Sequence, residues 1–229
     1  MSTPQLPLGL GFAMPPRFDN FIVGANQATV AELRRIAVAD AGGGFVHGPP
    51  GSGKSHLLQA LAGSVRGAQY LPLAALADQA EVALRATDAD CLLIDQGEAV
   101  AGRAELEHAL FDLFNRNRAA RQSLLFAARA APAQLGIALP DLASRLASLT
   151  RLPLQVLDEA GLRQAFAARA AARGLVVGEQ VIDYLFRHAP RDPPSLFALI
   201  DRLDRQSLAE GRAITVPFLR QLLCGDAER

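Results

Sequence analysis

The sequence predicts an α/β fold, with a parallel five-stranded sheet covered by helices on both faces and a small all-helical subdomain after it. Three observations carry that reading. Between residues 45 and 156 short apolar runs alternate with helix-period patterns, and strands joined by helical crossovers pair in parallel. After Leu157 only helix-period patterns remain. A glycine-rich turn, Gly48-Pro49-Pro50-Gly51-Ser52-Gly53-Lys54-Ser55, stands where the first of these strands hands over to a helix.

Taken in order, Phe45-Val46-His47 is the strand leading into Gly48, and Ser55 to Val65 is the helix behind the turn. Gln69 to Leu73 reads as a second strand, followed by a helical pattern through Arg85. Cys91-Leu92-Leu93-Ile94, bounded by Asp90 and Asp95, is a third. Ala104 to Ala120 places Leu106, Leu110, Leu113 and Phe114 on one helical face. Ser123 to Ala127 is a fourth strand and Leu152 to Leu157 a fifth. Asp158 is suited to N-cap a helix that stops at Gly174, and a second helix covers Glu179 to His188. A third opens at Pro193-Pro194 with Leu196, Leu199, Ile200 and Leu203 as its apolar face, and Thr215-Val216-Pro217 starts the last. The expected divisions are an extended tail over 1–16, a nucleotide-type α/β subdomain over 17–157 and a helical lid over 158–229.

Composition narrows the function. Hydrophobic residues make up 50% and charged residues 20%, enough for a real core. The 23 basic residues balance 23 acidic ones, so no net positive field favours strong independent binding to a nucleic-acid backbone. No apolar run approaches the roughly 18 to 20 residues that span a bilayer. Residues 1 to 16 carry no Lys or Arg, and the run Leu6 to Phe12 is broken by Pro7, Gly9 and Gly11, which argues against a secretory signal. Cys91 and Cys224 lack CxxC spacing, and Cys91 reads as a small buried hydrophobe. A reduced cytoplasmic compartment is the expectation. Lys54 is the single lysine; every other basic residue is arginine.

The chemistry centres on that lysine. Gly48 to Ser55 matches GxxxxGK[ST] between a strand and a helix, so its glycines let backbone N–H groups converge on phosphate oxygens. Lys54 is expected at the β/γ-phosphates of ADP or ATP, and the Ser55 hydroxyl on Mg²⁺. Leu92-Leu93-Ile94-Asp95 is the partner motif, an apolar strand delivering a carboxylate to the same magnesium. The residue after Asp95 is Gln96, which can orient a water but cannot take its proton. Glu98 follows past Gly97, and the strand Ser123 to Ala128 ends in alanines before Arg129. Nucleotide binding therefore reads as intact and hydrolysis in cis as impaired. His47 and His56 flank the loop without any Cys, His or carboxylate constellation that would make them metal ligands.

Several stretches resemble a known family. Phe18-Asp19-Asn20-Phe21 before Gly24 looks like the lead-in segment of the bacterial replication initiator DnaA and its AAA+ relatives. Phe111-Asp112-Leu113-Phe114-Asn115-Arg116 is similar to the helix after the aspartate strand in that group. Leu139-Pro140-Asp141-Leu142-Ala143-Ser144-Arg145-Leu146 is similar to its arginine-finger segment. With the last residue at Arg229 and a QLxLxL segment at the start, the resemblance is to the Hda group, the DnaA regulatory inactivators, without a helix-turn-helix domain. It implies a negative regulator of replication initiation that binds the DNA polymerase III β sliding clamp and meets DNA through it. By this likeness Arg145 is an arginine finger acting in trans on ATP held by DnaA. Asn115 is equally a partner contact or a surface hydrogen bond. Arg116, Arg118 and Arg121 form a basic cluster that could touch DNA threaded through the clamp but reads sooner as a solvated helix end, where cations suit the dipole. Where the family's third lid helix presents an arginine to nucleotide this chain has Pro194, with Arg191 three residues earlier. Either Arg191 substitutes from a shifted turn or the lid does not sense the γ-phosphate. The second is the favoured reading, and ADP is then the favoured ligand. Whether the chain forms a homo-oligomer stays open.

Gln5-Leu6-Pro7-Leu8-Gly9-Leu10 taken alone could equally be an inert tail or a strap on its own domain. In the context of the resemblance it is the clamp-binding peptide, with Gln5, Leu6, Leu8 and Leu10 as anchors laid extended in a groove. An autonomous AAA+ ATPase of the helicase-loader type, or a small P-loop kinase, are the alternatives. The first should keep a water-activating carboxylate, and the second does not need the Ser144-Arg145-Leu146 box.

Overall fold

A computed structural model describes residues 15–224, so Gln5, Leu6, Leu8 and Leu10 lie outside the described residues. Contacts within the chain divide it between Val156 and Leu157 into two units.

In the first unit five parallel strands form one sheet in the order β2-β3-β4-β1-β5, where β1 is Gly43–His47, β2 Ala68–Pro72, β3 Cys91–Asp95, β4 Ser123–Ala128 and β5 Thr150–Pro153. Its helices are α1 Gln27–Ala37, α2 Lys54–Ala62, α3 Leu73–Leu76, α4 Ala80–Ala86, α5 Ala104–Ala119 and α6 Pro140–Ala147. Strand alternation sorts the core into two layers. Phe45, Leu92, Ile94, Leu124 and Phe126 face the α4–α5–α6 side, while Val46, Cys91, Leu93, Leu125 and Ala127 face α1 and α2. Because β3 and β4 are buried on both faces, their sequences run apolar without polar alternation. Burial also pushes the Cys91 thiol up to about 11, which leaves it an inert core residue.

Two elements depart from the sequence expectation. The fifth strand ends at Pro153 and does not continue to Leu157, because its only partner is β1 and that ladder stops at His47, where the glycine-rich turn begins. Leu154 N–H donates to His47 O at 2.7 Å as the last bond of the pairing, and Leu154 then serves the core from a loop. Helix α1 lies ahead of the strand-and-helix alternation and forms on the spacing of Val30, Leu33, Ile36 and Ala37, all buried. Smaller shifts have local causes. Gly63 terminates α2 short of Val65, and Leu73 opens α3 and so lies outside β2.

The second unit holds α7 Glu159–Ala171, α8 Glu179–His188, α9 Pro193–Glu210 and α10 Val216–Cys224. Asp158 Oδ1 accepts Gly161 N–H at 2.8 Å and Asp192 Oδ1 accepts Ser195 N–H at 2.9 Å, so two of the helices start on side-chain caps. Gly174 takes φ 73°, as expected of the residue that ends the first of them. The core is Leu162, Phe166, Leu185, Phe186, Leu196, Ile200, Leu203, Phe218 and Leu219. No helix among the described residues is long and apolar enough to cross a membrane.

Candidate functional site

The turn Gly48 to Ser55 joins β1 to α2, as its spacing requires. Gly51 and Gly53 take φ 78° and 94°, the left-handed region that side chains with a Cβ resist. At Gly53 space forbids a Cβ as well, since one built there would lie 2.5 Å from the Phe21 ring. The Lys54 ammonium donates to Gly48 O at 2.7 Å and Pro49 O at 2.9 Å, so it sits inside the turn. Burial lowers the Lys54 pKa, and the carboxylates of Glu98 and Asp95 oppose that lowering.

Phe21 brings the lead-in segment against the turn. Its ring centroid is 5.3 Å from that of His56, and His56 Nε2 lies 2.9 Å from Arg17 O. Phe18 is covered by the Arg34 guanidinium at 3.8 Å. His56 therefore braces the segment Phe18-Asp19-Asn20-Phe21. Among the described residues no group of three or more His, Cys, Asp or Glu side chains could hold a metal ion alone.

Sheet order decides what stands beside the turn. Strand β4 lies between β1 and β3, so its carboxyl end separates Lys54's turn from Asp95. Asp95 is 1% exposed, and its oxygens accept Gln96 N–H at 2.9 Å and the Tyr70 hydroxyl at 2.7 Å. Tyr70 in turn accepts from Gln59 Nε2 at 3.2 Å. Burial is the main cause that pushes the Tyr70 phenol up to about 12, so at neutral pH it stays protonated and keeps donating to Asp95. Tyr70 was not legible as a site residue: it sits in an edge strand whose pattern shows only a half-buried aromatic.

Beyond Asp95 the backbone bends sharply. Gln96 takes φ 57°, and its Oε1 is buried with no hydrogen-bond partner among the described residues. Gly97 follows because a Cβ there would meet the Phe126 ring at 2.0 Å. The bend carries Glu98 to Arg129 at the end of β4. Arg129 Nε donates to Glu98 Oε1 at 2.8 Å, and Arg129 N–H donates to Glu98 Oε2 at 3.2 Å. The strand that ends in alanines thus supplies its polar group one residue later, as an arginine engaged with a carboxylate.

Arg145 lies in the last turn of α6, on the flank of the stripe formed by Leu142 and Leu146. It is partly exposed, and among the described residues its guanidinium makes no ion pair or hydrogen bond. Asn115, partly exposed on α5, likewise has no side-chain hydrogen bond among the described residues. Arg116 differs, since it donates to Leu84 O at 3.0 Å and Arg85 O at 3.2 Å and so is tied to α4. In the helical unit Pro194 is the second residue of α9, and Arg191 pairs with Glu159 at 3.0 Å.

A five-stranded parallel sheet in this order, a GxxxxGK[ST] turn after β1 and a helical unit after β5 define an AAA+ P-loop module. The solved structures agree on the fold. Domain III of the DnaA replication initiation protein from Thermotoga maritima superposes with a TM-score of 0.79 at 21% identity, covering 98% of each chain. AMPPCP-bound DnaA from Aquifex aeolicus matches with a TM-score of 0.64 at 20% identity, over 84% of this chain and 65% of that one. The RuvB Holliday junction branch migration motor of Thermotoga maritima reaches 0.62 at 17% identity, over 90% and 70%. Residues 158–223 match the family model of the Hda lid domain. The α/β unit thus has the AAA+ fold, and residues 158–223 form a lid of the Hda type.

Proposed function

We propose that this protein switches off replication initiation by supplying Arg145 in trans to ATP bound by DnaA, leaving DnaA with ADP. The observation that carries the reading is Arg145 itself. It stands partly exposed and unpaired among the described residues, on a helix whose rotation Leu142 and Leu146 hold, in a chain with an Hda-type lid. An arginine brought to the γ-phosphoryl of another subunit neutralises charge that develops only in the transition state, an effect of roughly 10³ to 10⁵ in rate. Gln5, Leu6, Leu8 and Leu10 would tether the protein to the sliding clamp on DNA, and Asn115 would contact a partner subunit.

In its own site Gly48 to Ser55 would hold an adenine nucleotide, through backbone N–H groups and the Lys54 ammonium. ADP is favoured, because Gln96 holds its amide oxygen in the protein interior and the second position of α9 is Pro194. Magnesium fits as a nucleotide-borne ion, since Ser55 and Asp95 offer oxygen donors only. When bound it would neutralise phosphate charge. Tyr70 would hold the Asp95 carboxylate in place.

The test is ATP hydrolysis by DnaA in the presence of DNA-loaded clamp, comparing wild type with Arg145→Ala. Stimulation should fall by about 10³-fold or more while nucleotide binding is kept. Unchanged stimulation would end the trans-finger reading. Gln5→Ala combined with Leu8→Ala should abolish clamp pull-down and leave nucleotide affinity alone. The autonomous-ATPase reading keeps one observation in its favour, the Glu98 carboxylate close enough to Lys54 to oppose the fall in its pKa. Steady-state turnover by the isolated protein separates the two.

A further inference from the structure

We infer that Glu107 is a positioning residue for Arg145: from the first turn of α5 its carboxylate fixes where α6 begins, and so where the guanidinium is presented. The inference rests on the finger reading above. Glu107 is 1% exposed, whereas its neighbours Glu105 and His108 are exposed on the same helix. One carboxylate oxygen accepts Gly102 N–H at 2.8 Å and Ala138 N–H at 3.1 Å, and the other accepts Leu139 N–H at 2.7 Å. Ala138 and Leu139 are the last two residues before α6. A buried charge is tolerated only where it is met, and here backbone groups meet it. Burial pushes the carboxyl up, but the three backbone N–H groups, with His108 adding, outweigh it and hold Glu107 below the ordinary glutamate range.

Helix α6 has no side-chain cap of its own at Leu139. Its rotation is set by Leu142 and Leu146, both fully buried one turn apart. An apolar stripe resists rotation more than sliding along the axis. The bonds from Glu107 supply the axial constraint, because they hold the two residues that launch the first turn. An apolar residue of equal shape would fill the same space and leave three backbone donors without partners. A finger must be placed to within a fraction of an ångström to act, so a loose helix start is expressed as lost rate and not as lost folding.

The test uses the full chain carrying Glu107→Gln, which keeps the shape but turns an amide NH₂ toward at least one of the N–H donors. Hydrogen exchange should speed up at least tenfold over residues 136–147, with α2 and β3 unchanged. Exchange unchanged over 136–147, or accelerated equally across the α/β unit, would overturn the inference. In the DnaA assay, Glu107→Gln should lower the maximal stimulated rate at least tenfold without shifting the half-saturating concentration, and should add nothing to Arg145→Ala. Full stimulation by Glu107→Gln alongside loss in Arg145→Ala would also overturn it. If Arg145→Ala itself retains stimulation, the proposed function fails, and the exchange result still decides whether Glu107 anchors α6.

Discussion

The two units bury different things. Every buried polar or charged residue described, namely Asn26, Ser52, Thr87, Asp95, Glu107, Asn117 and Ser123, belongs to the α/β unit. The described helical unit buries apolar side chains. Most of its charges stay at the surface, in pairs such as Arg163 with Asp183 at 2.7 Å, while Arg173 is drawn largely inside, paired with Asp201. A buried polar group must find partners fixed in space, so it appears where backbone or chemistry has to be held. Asn26 clamps Gln155 in both directions at 3.0 and 2.8 Å, and Ser123 ties β4 to the end of α1. The helical unit needs only an apolar stripe on each helix. The contrast separates a part built to place groups from a part built to fold.

The comparison breaks first at Phe166, which is fully buried in the helical unit. Phe166→Ala should destabilise that unit by roughly 3 to 5 kcal/mol. Calorimetry should show its transition shifted, with the α/β transition retained; one transition displaced as a whole would erase the distinction. Lys54→Ala should do the reverse. Loss of a charge-assisted contact to phosphate, worth roughly 1.5 to 3 kcal/mol, means a nucleotide affinity about 10- to 100-fold weaker by titration, with stability nearly kept. A melting temperature that drops with it would show that Lys54 holds the turn together through Gly48 O and Pro49 O. The smallest effect belongs to Asp192→Ala. Removing the cap on α9 should lower the helical unit's melting temperature only slightly, and a drop as large as that from Phe166→Ala would mean more than a cap is lost.

The same contrast explains how far the sequence could be read. The helical unit was largely legible, because the cap at Asp158, a stop at Gly174, Pro193 and Pro194, and the stripe through Leu196, Leu199, Ile200 and Leu203 are local signals. The cap at Asp192 came only with the structure. The glycine turn and the aspartate strand were legible for a like reason, since phosphate chemistry demands adjacent residues. Tyr70, Arg129 and Glu107 were not. Each acts on a partner distant in sequence: Tyr70 on Asp95, Arg129 on Glu98, and Glu107 on Ala138 and Leu139.

By itself, then, the sequence determined a phosphate-type turn around its single lysine, a parallel α/β layer and four amphipathic helices after Leu157. Each follows from residue chemistry and periodicity within a dozen positions. Only the tertiary structure decided that β4 inserts between β1 and β3, that Arg129 therefore meets Glu98, and that α6 begins on a carboxylate from α5. Strand order and buried polar pairing are set by packing between distant segments, and no local pattern encodes which distant segment will arrive.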